Sequence, residues 1–165
     1  MAVRTGKVTG RREAHYDSYQ DLLNDADRLN CGEVRLLGNW TLGQIFGHLS
    51  RSMETSIDGI SYKAPWPIRV IVRLFMRQRM ITRPMSAGFT LPSRAAEFLV
   101  PGPTSTDEGL AGLRTAIQRL HDETERAPHP VLGEMSLDEW DSFHLRHAEM
   151  HMSFAVPVKV TAGAS

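Results

Sequence analysis

The chain predicts an all-α protein, a four-helix bundle with a long irregular central segment that carries one or two short helices. Three observations lead there. Four start signals, each a Ser, Thr or Asp followed three residues later by Gln or Glu, precede stretches whose apolar residues recur every three or four positions. No stretch shows the convincing alternation of apolar and polar residues that marks a half-buried strand. Six of the nine prolines fall between 61 and 104, so the flanking segments are free to form long helices.

The first helix begins at Asp17, with Gln20 as its capping partner. It carries Tyr19, Leu22, Leu23, Ala26 and Leu29 on one face and stops at Cys31-Gly32. Thr41-Leu42-Gly43-Gln44 opens the second, whose stripe is Ile45, Leu49, Met53 and Ile57 and whose end is Asp58-Gly59. Within the centre, 61–104, a short helix fits Ile68 to Met80, and a further turn or two fits Ser93 to Leu99. A segment of this length is either a crossover or a lid. Ser105-Thr106-Asp107-Glu108 starts the third long helix, with Leu110, Leu113, Ile117 and Leu120 in register, and Pro128-His129-Pro130 breaks it. Ser136-Leu137-Asp138-Glu139 starts the last, from Leu137 to about Phe154, and Pro157 ends it. Residues 1–14 and 156–165 read as loose tails around a single domain spanning 1–165.

Composition narrows the function. With 19 Lys+Arg against 19 Asp+Glu, the chain lacks the basic excess of a nucleic-acid binder. The single Cys31 forbids an intramolecular disulfide and any Cys-rich zinc site, so a metal here has to rely on His or carboxylates. The longest mostly apolar stretch, Ile68 to Ile81, contains four arginines and falls short of the ~20 residues of a transmembrane helix. The basic N-terminus has no apolar signal core, which makes the cytoplasm the expected location.

The seven histidines are not spread evenly. His144, His147 and His151 lie on the last helix within a sector of roughly 60°. His144 and His151 are separated by about 10.5 Å of helix rise, too far to share one ion easily. His147 is therefore the common member of a chelating pair, with His144 at i, i+3 or His151 at i, i+4, and spacing leaves both open. A catalytic zinc usually takes three protein ligands, so another helix has to supply a third. His48, beside the core stripe of the second helix, suits that role. Gln44, His48, Ser52 and Thr55 share one polar face, which fits the wall of a cavity. His15, His121 and His129 read as ordinary surface residues.

The stretches NWTLGQIFGHLSRSMETSIDG (39–59) and EWDSFHLRHAEMHMSF (139–154) resemble the DinB/YfiT-like superfamily of metalloenzymes, and FTLPSRAAEFLVP (89–101) is similar to an uncharacterised branch of it. The resemblance covers most of residues 10–155. It implies a four-helix bundle and a divalent metal held by His48, His147 and His151. His144 is extra to the pattern, as a group behind the ligands steadied by Asp141 or as a substrate contact. The superfamily includes thiol-dependent transferases and a maleylpyruvate isomerase, which implies a low-molecular-weight thiol as a partner in the chemistry.

Three neutral imidazoles suit zinc, nickel or iron and leave positions open, so that a metal-bound water or thiol becomes the reactive group. No Glu adjoins the first His of the pair, so the zinc-protease arrangement is missing. The expectation is a transferase or hydrolase acting on a small, anionic substrate. Between Asp58 and Glu97 there is no acidic residue but seven cations: Lys63, Arg69, Arg73, Arg77, Arg79, Arg83 and Arg94. Arg69, Arg73 and Arg77 recur at i, i+4, i+8 and, with Ser52 and Thr55, form the expected substrate-binding set, the arginines clamping an anion over the metal. The same segment reads alternatively as a solvated cover or as an interfacial helix on anionic lipid. The rival to an enzyme is a non-catalytic bundle that binds metal, a partner or a membrane surface. A homodimer is the expected assembly.

Overall fold

A computed structural model describes residues 2–88 and 93–158. Residues 89–92 of the FTLPSRAAEFLVP stretch and the tail from 159 onward lie outside the described residues. The fold is all-α. The four long helices are α1 (Tyr19–Asn30), α2 (Leu42–Asp58), α6 (Thr106–Asp122) and α7 (Leu137–Met152); between α2 and α6 come α3 (Trp66–Phe75), α4 (Arg77–Thr82) and α5 (Ser93–Leu99). Among the described residues, no helix is long and apolar enough to cross a membrane.

Every long helix starts with a reciprocal capping box, each of which ties up amide donors that the first helical turn leaves unpaired. Thr41 pairs with Gln44, Ser105 with Glu108 and Ser136 with Glu139, at the positions the sequence predicts. In α1 the cap is Ser18 with Asp21, not Asp17 with Gln20. Gln20 instead reaches forward to Asn24, and the shorter Ser hydroxyl closes the turn. Gly59 ends α2 at φ 73°, a conformation open to glycine without strain.

The bundle is built on α2, which packs against α6 and α7, while α1 lies across α6 and α7. Leu22, Ala26, Phe46, Leu49, Met53, Leu113, Ala116, Ala148 and Met152 are essentially solvent-free in its core. Helices α2 and α6 approach through Gly43 and Gly109. A Cβ on Gly43 would stand 2.4 Å from the Ser105 and Thr104 carbonyl oxygens, and one on Gly109 would stand 2.4 Å from the Gly43 carbonyl. This contact fixes where α2 starts and so the depth at which its sixth and seventh residues enter the interior.

Three expectations need correction. The stretch Ile68–Met80 is two helices, broken at Met76, whose φ of −119° lies outside the α-helical range. Residues 156 and 157, read as the start of a loose tail, are paired: β1 (Val34–Leu36) runs antiparallel to β2 (Ala155–Pro157). Three-residue strands are too short to leave an alternation in sequence. The N-terminal arm is fastened by Arg12, whose Nε donates to the Ala155 carbonyl at 2.7 Å and whose guanidinium meets the buried Asp25 carboxylate. Tyr16 and Arg28 also donate to Asp25. Burial alone would raise the Asp25 pKa, but these hydrogen bonds outweigh it and hold the group below the usual carboxylate value. The central segment leaves α2, lays α4 on α7, and returns through α5 to α6. Beneath it a second apolar cluster forms, with Leu132, Trp140 and Phe143 at its centre.

Candidate metal centre

Helix α2 turns Ile45 and Leu49 into the core, and His48 follows them inward to 3% exposure. Helix α7 brings His147 and His151 up one above the other, as i, i+4 spacing requires. The Nε2 atoms of all three converge: His48 to His147 is 3.3 Å and His151 to His147 is 3.0 Å. Among the described residues, this is the group of potential ligands that comes together, with one atom from each within 4.8 Å of the others.

The far sides of the rings are also held. His48 donates from Nδ1 to the Leu99 carbonyl at 2.8 Å, which leaves Nε2 with a bare lone pair in the neutral ring. The Ser52 hydroxyl lies 3.4 Å from Nδ1 of His147. The Trp40 indole stacks on the His151 ring, with centroids 5.3 Å apart. Burial holds all three imidazoles below their ordinary pKa; for His147 and His151 the drop is large and the neighbouring histidines add to it. They are therefore neutral at pH 7, the form in which imidazole binds a metal.

The i, i+3 partner, His144, is not in this group. It is completely buried one turn away, with its Nε2 3.1 Å from the Ser56 hydroxyl and its ring stacked on Trp140. Ser56 spends its own proton on the Met53 carbonyl at 2.6 Å, so His144 donates from Nε2 and its buried Nδ1 has no partner. Asp141 does not steady it; that carboxylate accepts from the Tyr19 hydroxyl at 2.7 Å. Glu149 is engaged on the other side of α7 by the Tyr16 amide and Arg146, both at 2.8 Å, and offers no base to the cluster.

The three histidines form the base of a mainly apolar cavity of about 1160 Å³, walled by residues of α2, α3, α4, α5 and α7. Ser52 and Thr55 both line it, as a polar α2 face would. The Thr55 hydroxyl donates to the Ser52 carbonyl at 2.9 Å. Arg69, Arg73 and Arg77 do not. The row of α3 that turns inward is Ile68, Val72 and Met76, and the arginines sit one position further round the helix. Arg77 pairs with Glu139 at 2.8 Å and the Arg73 guanidinium lies over Gly133. The arginines that reach the cavity are Arg79 and Arg83, which continue the row of Ile68, Val72 and Met76 at helical spacing.

Sequence reasoning missed His129. It lies in a Pro-bounded loop yet lines the cavity, packed on Trp140 and Phe143. The amides of Val131 and Leu132 donate to its Nδ1 at 3.1 and 3.0 Å, so the neutral ring carries its proton on Nε2. Burial pushes its pKa down to about 4. The only hint in the sequence was the His-Pro-Val-Leu-Gly run, whose Gly133 at φ 79° closes the loop back onto His129.

A helical bundle with three neutral imidazoles meeting at the base of an apolar cavity defines a candidate metal-binding bundle protein. Residues 8–158 match the family described as "Protein of unknown function (DUF1569)", and the chain belongs to it. Comparison with curated proteins and with solved structures gives no match.

Proposed function

We propose that the protein is a divalent-metal-dependent enzyme acting on a small molecule, of the thiol-dependent transferase or hydrolase type, built on the DinB/YfiT-like bundle plan. The observation that carries this reading is the convergence of three Nε2 atoms at the base of a cavity. Ligands about 2.0–2.1 Å from a tetrahedral ion lie about 3.3–3.4 Å apart; the His48–His147 and His147–His151 separations of 3.3 and 3.0 Å are close to that, and all three ligand atoms lie within 4.8 Å of one another. The donor set suits zinc, nickel or iron.

A divalent ion bound there would lower the pKa of a water or thiol and so supply a nucleophile at neutral pH. The rest is done by this chain. His48, His147 and His151 would hold the ion. The Leu99 carbonyl and the Ser52 hydroxyl set the orientation of two of the rings. The apolar walls exclude water. His129 presents an Nε2–H to the cavity as a neutral donor for a substrate oxygen, because its Nδ1 is committed to backbone amides. Arg79 and Arg83 replace the predicted Arg69, Arg73 and Arg77 as partners for an anionic group on the substrate. Ser52 and Thr55 are the remaining polar contacts.

The test is elemental analysis of the purified protein with single variants, alongside turnover of an electrophile in the presence of a low-molecular-weight thiol. His48→Ala, His147→Ala and His151→Ala should each lower metal content at least tenfold, and His144→Ala should retain it. Thiol- and metal-dependent turnover supports the transferase type, and metal-dependent turnover without thiol the hydrolase type. Full metal content in the His48 variant overturns the site. A bound metal with no turnover of thiol or ester substrates favours the non-catalytic bundle.

A further inference from the structure

We propose that the outward face of α3 is a docking surface for an anionic phospholipid bilayer. This inference is independent of what the three histidines bind. Helix α3 turns one apolar row toward the cavity and another to solvent; none of its residues is buried, and Ile68 in the cavity row is itself 49% exposed. Its inward row, Ile68, Val72 and Met76, lines the cavity. Its outward row is left bare: Trp66 is 72% exposed, Leu74 71% and Phe75 79%, with Val70 and Ile71 also open. Together these five side chains span roughly half of the helix circumference. Bare aromatic and aliphatic residues gathered on one short helix mark an interaction surface, unlike the scattered apolar residues of an ordinary exterior.

Charge selects the occupant. Lys63, Arg69 and Arg73 lie just before or on this helix, and none of them is paired with a carboxylate among the described residues. No acidic residue occurs between Asp58 and Glu97. A second copy of the chain meeting α3 to α3 would set these cations against their own images, at a cost in like-charge contact. An anionic bilayer meets both demands. The hydrocarbon boundary takes Trp66, Leu74 and Phe75, and the headgroups take the cations that flank them. Arg69 and Arg73 border the bare row; the Arg69 stem can follow it down while its guanidinium stays at headgroup level, and the Arg73 guanidinium, now over Gly133, adds its positive charge from the rim. At ten residues the helix is about 15 Å long, half the hydrocarbon thickness, so it lies in the interface plane. Trp66 at its first turn is the residue type that favours this boundary.

The experiment is co-sedimentation of the full-length protein with phosphatidylcholine vesicles, with and without phosphatidylglycerol at about a third of the lipid. Binding is expected only with the anionic lipid and should weaken as salt rises. Leu74→Ser combined with Phe75→Ser should lower the partition coefficient about a hundredfold, and Lys63→Gln with Arg69→Gln and Arg73→Gln at least tenfold. A vesicle-induced blue shift of tryptophan emission should vanish in Trp66→Phe. Lys63, Trp66, Arg73, Leu74 and Phe75 are exposed and Arg69 is half-buried, so the variants should melt close to the wild type; if the double Ser variant does not fold, the charge variant decides. Absence of binding to anionic vesicles overturns the proposal, as does equal binding to neutral ones. A dimer in sedimentation velocity that Leu74→Ser with Phe75→Ser dissolves, with no vesicle binding, would assign the face to a second copy instead.

Discussion

Replacing His147 by Leu separates the cost of the histidine cluster from its use. His147 Nε2 faces two other Nε2 atoms, at 3.3 and 3.0 Å, and the His48 atom carries no proton because that ring donates from Nδ1 to Leu99. A neutral His147 has one proton to give and can satisfy at most one of these contacts through Nε2. Without a metal, at least one buried lone pair is left facing another, a penalty of about 1–3 kcal/mol. Leu removes that penalty and fills a similar volume, so the metal-free variant should lie within about 1 kcal/mol of the wild type, or above it. Metal tells them apart. At a free concentration a hundred times its Kd, a ligand that binds only the folded state adds about 2.7 kcal/mol, or about 5–10 °C in Tm for a chain of this length. The assay is a thermal melt in chelator and then in Zn²⁺, Ni²⁺ or Fe²⁺. Wild type and His144→Leu should shift and His147→Leu should not. No shift in the wild type with any of these ions refutes the reasoning, as does an equal shift in His147→Leu. A metal-free variant more than about 3 kcal/mol below the wild type would show that the imidazole supports the fold itself.

Two further outcomes follow from the core. Gly43→Ala places a Cβ 2.4 Å from two backbone carbonyl oxygens of the loop before α6, and neither can move without shifting that helix; denaturant unfolding should show a loss of about 1–3 kcal/mol or more, and an unchanged midpoint would mean that the helices are not so close. Stability should also fall as pH drops below about 6.5. His129 and His144 have folded pKa values of about 4 and about 3, below the unfolded value, so the unfolded chain binds more protons in that window. The contribution is complete above about 6.5 and is lost by about 1.4 kcal/mol per pH unit per histidine on the way down. Urea titrations from pH 7 to 5 should show this slope, and His144→Leu should remove about one proton from it; a flat profile would mean that these rings are hydrated.

Whatever depends on neighbours a few residues away along the chain can be read without the fold. Three of the four capping boxes, the apolar stripes, the Gly59 stop and the shared face of His144, His147 and His151 were legible for that reason: a helix start is a hydrogen bond between residues three apart, and a helical face is a fixed angle per residue. Folding supplied what depends on approach through space. It brought His48 from α2 to the pair on α7, across 99 residues, and left His144, equally suitable by spacing, stacked on Trp140 and bonded to Ser56. It carried His129 from a proline-bounded loop to the cavity wall, where two local amides fix its tautomer and burial keeps it neutral. It also broke the central helix at Met76, and it turned the row that holds Arg79 and Arg83, rather than that of Arg69, Arg73 and Arg77, toward the cavity. Periodicity says which residues share a face. It does not say which face the rest of the chain will cover, because that depends on the packing of α4 against α7 and on the apolar cluster formed beneath it.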